Sequence, residues 1–249
     1  WLFTGESWIY VKPLVAPFTI GSGIFLYLTL RGRKGGLFAL GVTILTMLNA
    51  QVFFYSSQIY TEGLSLFFLL ATLYFLKSGE HNYWLLGGIM MGLCFASRYT
   101  MILPAGVIFI IESLIRKNWR LALAAIAGAA PTILAVVWVV YMKAGTFEVA
   151  LAKDVNIGFV FSPFYIVNSV EIWGWAILLV PVAFLFKLTY SDSYNLTFIT
   201  WLVASLLFWS SNPSNLQYRF ATGFTPPVNY LILLAIEKIQ QFKSKRDLV

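Results

Sequence analysis

The chain has 249 residues, 59% of them hydrophobic and only 11% charged, with a mean hydropathy of +0.79. Soluble domains carry about 25% charged residues, so this composition excludes an ordinary water-facing surface and points to an all-α, polytopic transmembrane helical bundle. The formal charge of +7 requires no nucleic-acid partner, because no zinc-finger, basic-helix or RNA-binding signature accompanies it.

Taken in chain order, breaks at glycine, proline and charged clusters leave about nine candidate spans, at 13–30, 37–56, 63–77, 84–97, 100–115, 119–142, 172–188, 196–210 and 223–239. About 20 residues cross a hydrocarbon core, so several spans are short, as helices bordering a water-filled cavity often are. Trp8, Tyr10, Tyr55, Tyr83, Trp84, Trp119, Tyr141, Trp173 and Tyr190 stand beside charged loops, where interfacial aromatics collect. The chain starts in mid-motif at Trp1 and shows no signal peptide. The expectation is a single transmembrane domain, 1–249, lacking a first helix and first outer loop, with an outer interfacial loop at 144–170 and a basic cytoplasmic tail at 240–249. Within that loop Phe159, Phe161, Phe164 and Ile166 suit an amphipathic or re-entrant element at the membrane interface.

The most informative position is Arg98, inside the 31-residue apolar run 85–115. A charge at the centre of a span costs about 3 kcal/mol on insertion scales and marks a functional site by default. Either one over-long helix buries it, or two short helices meet there. Loop charge decides between them. With a break at Arg98, twelve of the 17 basic residues fall on one side: Arg31, Arg33, Lys34, Lys77, Arg116, Lys117, Arg120, Lys187, Lys238, Lys243, Lys245 and Arg246. Lys12, Arg98, Lys143, Lys153 and Arg219 fall on the other. A single helix through 85–115 turns this into seven against ten. The positive-inside rule therefore selects the break, puts the C-terminus in the cytoplasm and leaves Arg98 at the outer membrane edge.

This topology gathers Glu6, Lys12, Tyr60, Glu62, Arg98, Tyr99, Asp154, Tyr218 and Arg219 on the non-cytoplasmic side. Arginine forks pair bidentately with phosphate, a carboxylate serves as general base or orients a hydroxyl, and tyrosine stacks and hydrogen-bonds. The set suits a substrate carrying phosphate and sugar.

Residues 49–76, NAQVFFYSSQIYTEGLSLFFLLATLYFL, followed from Gly87 by GGIMMGLCFASRYTMILPAGVIFI, resemble integral-membrane glycosyltransferases of the GT-C superfamily. The nearest groups are the dolichyl-phosphate-mannose-type protein mannosyltransferases and the GPI mannosyltransferases. QYRFATGFTPP at 217–227 is similar to the family's late basic-aromatic element, and 3–33 to the span after its first luminal loop. The resemblance implies transfer of a sugar, a mannose-type hexose, from a polyprenyl- or dolichyl-phosphate donor to a protein or lipid acceptor on the outer or luminal face. It makes Glu62 the second acidic catalytic position, and it places Arg98 and Arg219 near the donor phosphate. Tyr60, Tyr99, Tyr218 and Asp154 line the substrate site beside them, and the family's catalytic aspartate falls upstream of Trp1. The membrane is that of a prokaryotic cell surface or the endoplasmic reticulum. No cofactor besides the lipid-linked donor is implied, and the sequence is silent on a divalent metal.

Plainer readings stand beside these. Glu62 opens a helix, where an acid favours the dipole. Arg98 snorkels to headgroups. Asp154 and Lys153 form a solvated loop pair, and the lone histidine, His81, is a solvated loop residue. Glu112 pairs locally with Arg116, and Glu237 with Lys238. Gly87, Gly88, Gly92 and Ala96 form a helix-packing face. Cys94, the single cysteine, excludes an internal disulfide. The Asn195-Leu196-Thr197 sequon is expected to be cytoplasmic and unused. The competing function classes are a transporter or flippase for a lipid-linked or anionic solute, which internal repeats would favour, and a non-catalytic membrane subunit.

Overall fold

The computed structural model describes residues 8–57, 61–144, 162–185, 192–210 and 218–246. Among them every regular element is helical, so the chain is all-α. The helices are α1 (Trp8–Lys34), α2 (Gly36–Met47), α3 (Ala50–Ser57), α4 (Thr61–Lys77), α5 (His81–Ser97), α6 (Ile102–Arg116) and α7 (Trp119–Ala144). Two short helices follow, α8 (Phe164–Val167) and α9 (Ser169–Trp173), then α10 (Leu179–Leu185), α11 (Ser193–Ser210) and α12 (Thr225–Arg246). Two 3-10 turns, Tyr99–Met101 and Tyr218–Phe224, precede α6 and α12.

Neighbouring helices build the bundle: α1 packs against α4 and α2, α4 against α5, α5 against α7, α6 against α11, and α12 against α2 and α10. Two of the described links are short because particular residues accept the required backbone. Gly35 joins α1 to α2 at φ +88°, a region open to glycine without steric penalty. Lys117 ends α6 in the left-handed region at φ 51°, and the Asn118 side chain then accepts the Arg120 backbone N–H at 3.1 Å to start α7.

The closest approach is between α5 and α7. A Cβ added to Gly88 would lie 1.9 Å from the Ala125 carbonyl oxygen, and one added to Gly128 would lie 2.3 Å from that of Leu85. Gly92 faces Ala129 in the same seam, whereas Gly87 faces Leu76 of α4 and Ala96 is exposed. The glycines therefore serve helix packing, as expected, but against two different partners.

Some polar side chains lie within the apolar core, and large apolar side chains stand on the surface. Ser22, Thr46, Ser65, Asn195, Thr197 and Asn229 are buried, while Ile20, Ile24 and Leu28 of α1, Leu37 and Ile44 of α2, and Leu123, Leu134 and Trp138 of α7 are exposed. Hydroxyls satisfy themselves on their own helices: Ser22 donates to the Phe18 carbonyl at 2.9 Å, Thr29 to Phe25 at 2.7 Å, Thr72 to Phe68 at 2.8 Å. Such back-bonding gives a buried hydroxyl a partner within its own helix. One helix among the described residues, Trp119–Lys143, is both long and apolar enough to cross a membrane by itself, with a mean hydropathy of 2.3.

Three sequence expectations are corrected here. The 37–56 span is two helices, because the Asn49 side chain accepts the N–H groups of Gln51 and Val52 and restarts the chain as α3. The 172–188 span is broken at Gly174, whose φ of +72° ends α9. Trp84 and Trp173 are not interfacial: Trp84 is fully buried with its indole N–H on the Ser78 carbonyl, and Trp173 donates to Thr225. Of the 144–170 loop, 145–161 lies outside the described residues; Phe164 packs edge-to-face on Tyr165, which is buried against Phe224. In this part of the loop Tyr165 is buried, Phe164 half-buried, and Ile166 and Val167 are exposed.

Candidate functional site

The chain does break at Arg98. α5 ends at Ser97, Arg98 is extended at φ −159° and ψ 105°, and the Tyr99–Met101 turn redirects the chain into α6. The Arg98 backbone N–H still reaches the Cys94 carbonyl at 3.0 Å, and its own carbonyl accepts the Met101 N–H at 2.9 Å. Both main-chain groups are thus satisfied, which frees the side chain to turn inward across the end of α4.

There Arg98 Nη1 donates to Glu62 Oε1 in an ion pair, and Nε donates to Thr100 Oγ1 at 3.2 Å. Glu62 sits in the first turn of α4, where the helix dipole favours an acid, and its carbonyl accepts the Ser65 hydroxyl at 3.0 Å. The Glu62 side chain is 2% exposed and that of Arg98 11%. Thirty-six residues apart in sequence, they form one buried acid–base unit.

The Tyr218–Phe224 turn lies against α3 and α4, and Gly223 approaches the Met101 side chain, so its backbone comes to the same end of the bundle as the Arg98 turn. Trp201 fixes it by donating its indole N–H to the Gly223 carbonyl at 3.0 Å. The structure thus brings the 218–224 turn to the end of the bundle that holds Glu62 and Arg98. Tyr60 and Asp154 lie outside the described residues, as does Glu6, and for Lys12, Tyr99, Tyr218 and Arg219 the description covers the backbone alone. No group of three His, Cys, Asp or Glu side chains suited to a metal is found among the described residues. An apolar cavity of about 400 Å³ between α9, α10, α11 and α12, lined by Trp173, Pro181, Leu202 and Val228, lies apart from this pair.

A second polar cluster occupies the opposite end of α4. Lys77 Nζ lies 2.6 Å from Glu112 Oε1, 3.0 Å from Thr197 Oγ1 and 3.1 Å from the Ser193 carbonyl, with the Tyr194 ring 4.2 Å away. Thr197 also donates to Glu112 at 2.6 Å, and Arg116 donates to the Lys77 carbonyl. Glu112 therefore does not pair with Arg116, as its i,i+4 spacing suggests; it crosses to α4, because its side of α6 is buried against that helix. Glu237 likewise accepts from Gln241 at 3.1 Å, one turn on, in place of Lys238. Beside this cluster Lys34 Nζ meets Asp192 Oδ2 at 2.5 Å, and Asn195 accepts from Lys34 at 3.2 Å and from the Tyr230 hydroxyl at 2.5 Å. Asn195 itself is 3% exposed. His81 is exposed at the start of α5.

Asp192 was the residue that sequence reasoning missed. Its signal was local: an aspartate directly before a helix, whose Oδ1 accepts the Tyr194 N–H at 2.9 Å. Partial burial works to raise its carboxyl, but hydrogen bonds from Lys34 and the Tyr194 N–H, with the charges of Lys34 and Arg33, hold it below the ordinary aspartate value. A lowered folded-state value stabilises the fold above the unfolded value of about 4 and loses that contribution as pH falls through the folded one. Thermal unfolding of the purified protein between pH 5 and 3 is therefore expected to show a falling midpoint, and D192N to remove this residue's share of the slope. A D192N slope equal to that of the parent would refute the assignment.

The chain matches no protein-family model, no curated protein and no solved structure in the comparisons made with each.

Proposed function

We propose that this chain is the helical part of a polytopic membrane glycosyltransferase, moving a hexose from a polyprenyl-phosphate donor to an acceptor hydroxyl on the non-cytoplasmic side. The observation that carries the reading is the buried Glu62–Arg98 pair at the break between α5 and α6. Three others support it. The outward apolar surface of α1, α2 and α7 suits lipid. The two polar clusters stand at opposite ends of α4, from Glu62 to Lys77, about 22 Å apart at 1.5 Å per residue, with an apolar stretch between them. The GT-C resemblance covers both sides of the pair. The short lengths of α4, α5 and α6, 17, 17 and 15 residues, suit spans that border a solvated cavity rather than lipid on all sides.

In the transfer, the acceptor oxygen forms the new bond at the anomeric carbon while the carbon–oxygen bond to the phosphate breaks. The electron pair leaves on the polyprenyl phosphate, and the hydroxyl proton passes to a carboxylate. Arg98 neutralises charge growing on the departing phosphate, the kind of preorganised stabilisation that removal experiments value at roughly 3–4 kcal/mol per donor. The basic end, with Lys34, Lys77 and Arg116, faces the cytoplasm on this reading.

Membranes carrying the full-length protein are expected to transfer sugar from a polyprenyl-phosphate hexose, and E62A and R98A to lower the rate at least ~100-fold at unchanged expression. Full activity in both variants would remove the assignment.

A further inference from the structure

We propose that the Glu62–Arg98 ion pair is a latch displaced by substrate: the donor's phosphate takes the guanidinium from Glu62, and the carboxylate is released to the incoming hydroxyl only when the anion is in place. This rests on the sugar-transfer reading.

Four observations carry the inference. First, a carboxylate and a phosphate compete for the same arginine fork geometry, so Glu62 occupies Arg98 in the manner of the anion it awaits. Second, the two members differ in exposure: Arg98 reaches the surface at 11%, whereas Glu62 is 2% exposed behind it. An anion approaching from outside meets the arginine first. Third, Arg98 is an extended residue between two helices, and its backbone hydrogen bonds to Cys94 and Met101 do not depend on where its guanidinium points. The side chain moves without unwinding α5 or α6. Fourth, Thr100 Oγ1 accepts from Nε at 3.2 Å, so the guanidinium keeps a partner on the turn when Nη1 leaves Glu62.

Energetics make the latch selective. Opening the pair without replacement takes the Arg98 counter-charge away from a buried carboxylate, which is unfavourable. The pair stays closed until a phosphate takes the arginine and a hydroxyl takes the carboxylate. Binding of the anion and release of Glu62 are then linked, and each favours the other by the same factor. Water alone, without the anion, does not find Glu62 free.

The test uses full-length protein in lipid nanodiscs and polyprenyl phosphate without sugar as the probe, measured by equilibrium binding. Glu62→Gln is expected to bind the probe roughly tenfold more tightly than the parent, within the range of ordinary coupling, although its transfer rate falls. Glu62→Asp keeps the charge in the first turn of α4 but withdraws it by one methylene. It is expected to bind about fivefold more tightly, and it replaces the glutamine variant should that one not fold. Arg98→Gln is expected to lose binding. Parent-level affinity in Glu62→Asp means that Glu62 acts through its field alone, and the latch is overturned while the sugar-transfer reading stands. A parent protein that binds no polyprenyl phosphate overturns both.

Discussion

Replacing Glu112 by leucine while Lys77 remains is expected to lower stability by about 3–5 kcal/mol, the effect of stranding one member of a buried ion pair. Lys77 is 5% exposed and Glu112 1%, and Lys77 is held at once by α6 and by the first turn of α11. Truncation of the acid leaves an ammonium group with a hydroxyl and a carbonyl but no counter-charge, in the place where α4, α6 and α11 meet. The double variant Lys77→Met, Glu112→Leu is expected to recover most of the loss, because a well-packed apolar pair often matches a buried ionic one. Denaturant unfolding of the detergent-solubilised protein, followed by helical signal, measures all four members of the cycle. A single variant that unfolds like its parent would show that the cluster has no structural role.

A single methyl group at position 88 is expected to be as damaging. Gly88→Ala gains up to about 1 kcal/mol in helix propensity. It also places a carbon 1.9 Å from the Ala125 carbonyl oxygen, a backbone atom that no rotamer change can move. α5 and α7 must separate along the whole seam, which also contains Gly92 and Gly128. The expected cost is at or above the upper end of the ~1–3 kcal/mol usual for overpacking. Gly106→Ala in α6 is the control: a Cβ there meets nothing within 4 Å, and the same change is expected to be neutral or stabilising. Equal behaviour of the two variants in thermal unfolding would show that the seam does not hold α7 to the bundle.

These two sites separate what is local from what is not. The small residues at 87, 88 and 92 mark a packing face by their spacing on one helix, and the break at Arg98 follows from the distribution of charge among loops. Neither needs a partner to be recognised. The restart at Asn49 has a local cause too, an Asx cap, yet the apolar residues around it outweigh one asparagine in any hydropathy argument. Trp84 shows the reverse error: a tryptophan beside a charged loop satisfies its indole on the Ser78 carbonyl and goes inside.

The sequence by itself determined the helical class, the excess of apolar residues, the break at Arg98 and the candidacy of Glu62 and Arg98, because composition and the order of charges and breaks are properties of a chain before it folds. Only the tertiary structure decided that Glu62 meets Arg98, that Glu112 abandons Arg116 for Lys77, and that Lys34 finds Asp192 across 158 residues. The reason is physical. A buried charge takes whichever opposite charge the packing of neighbouring helices brings within about 3 Å, and sequence spacing does not encode which helices will be neighbours.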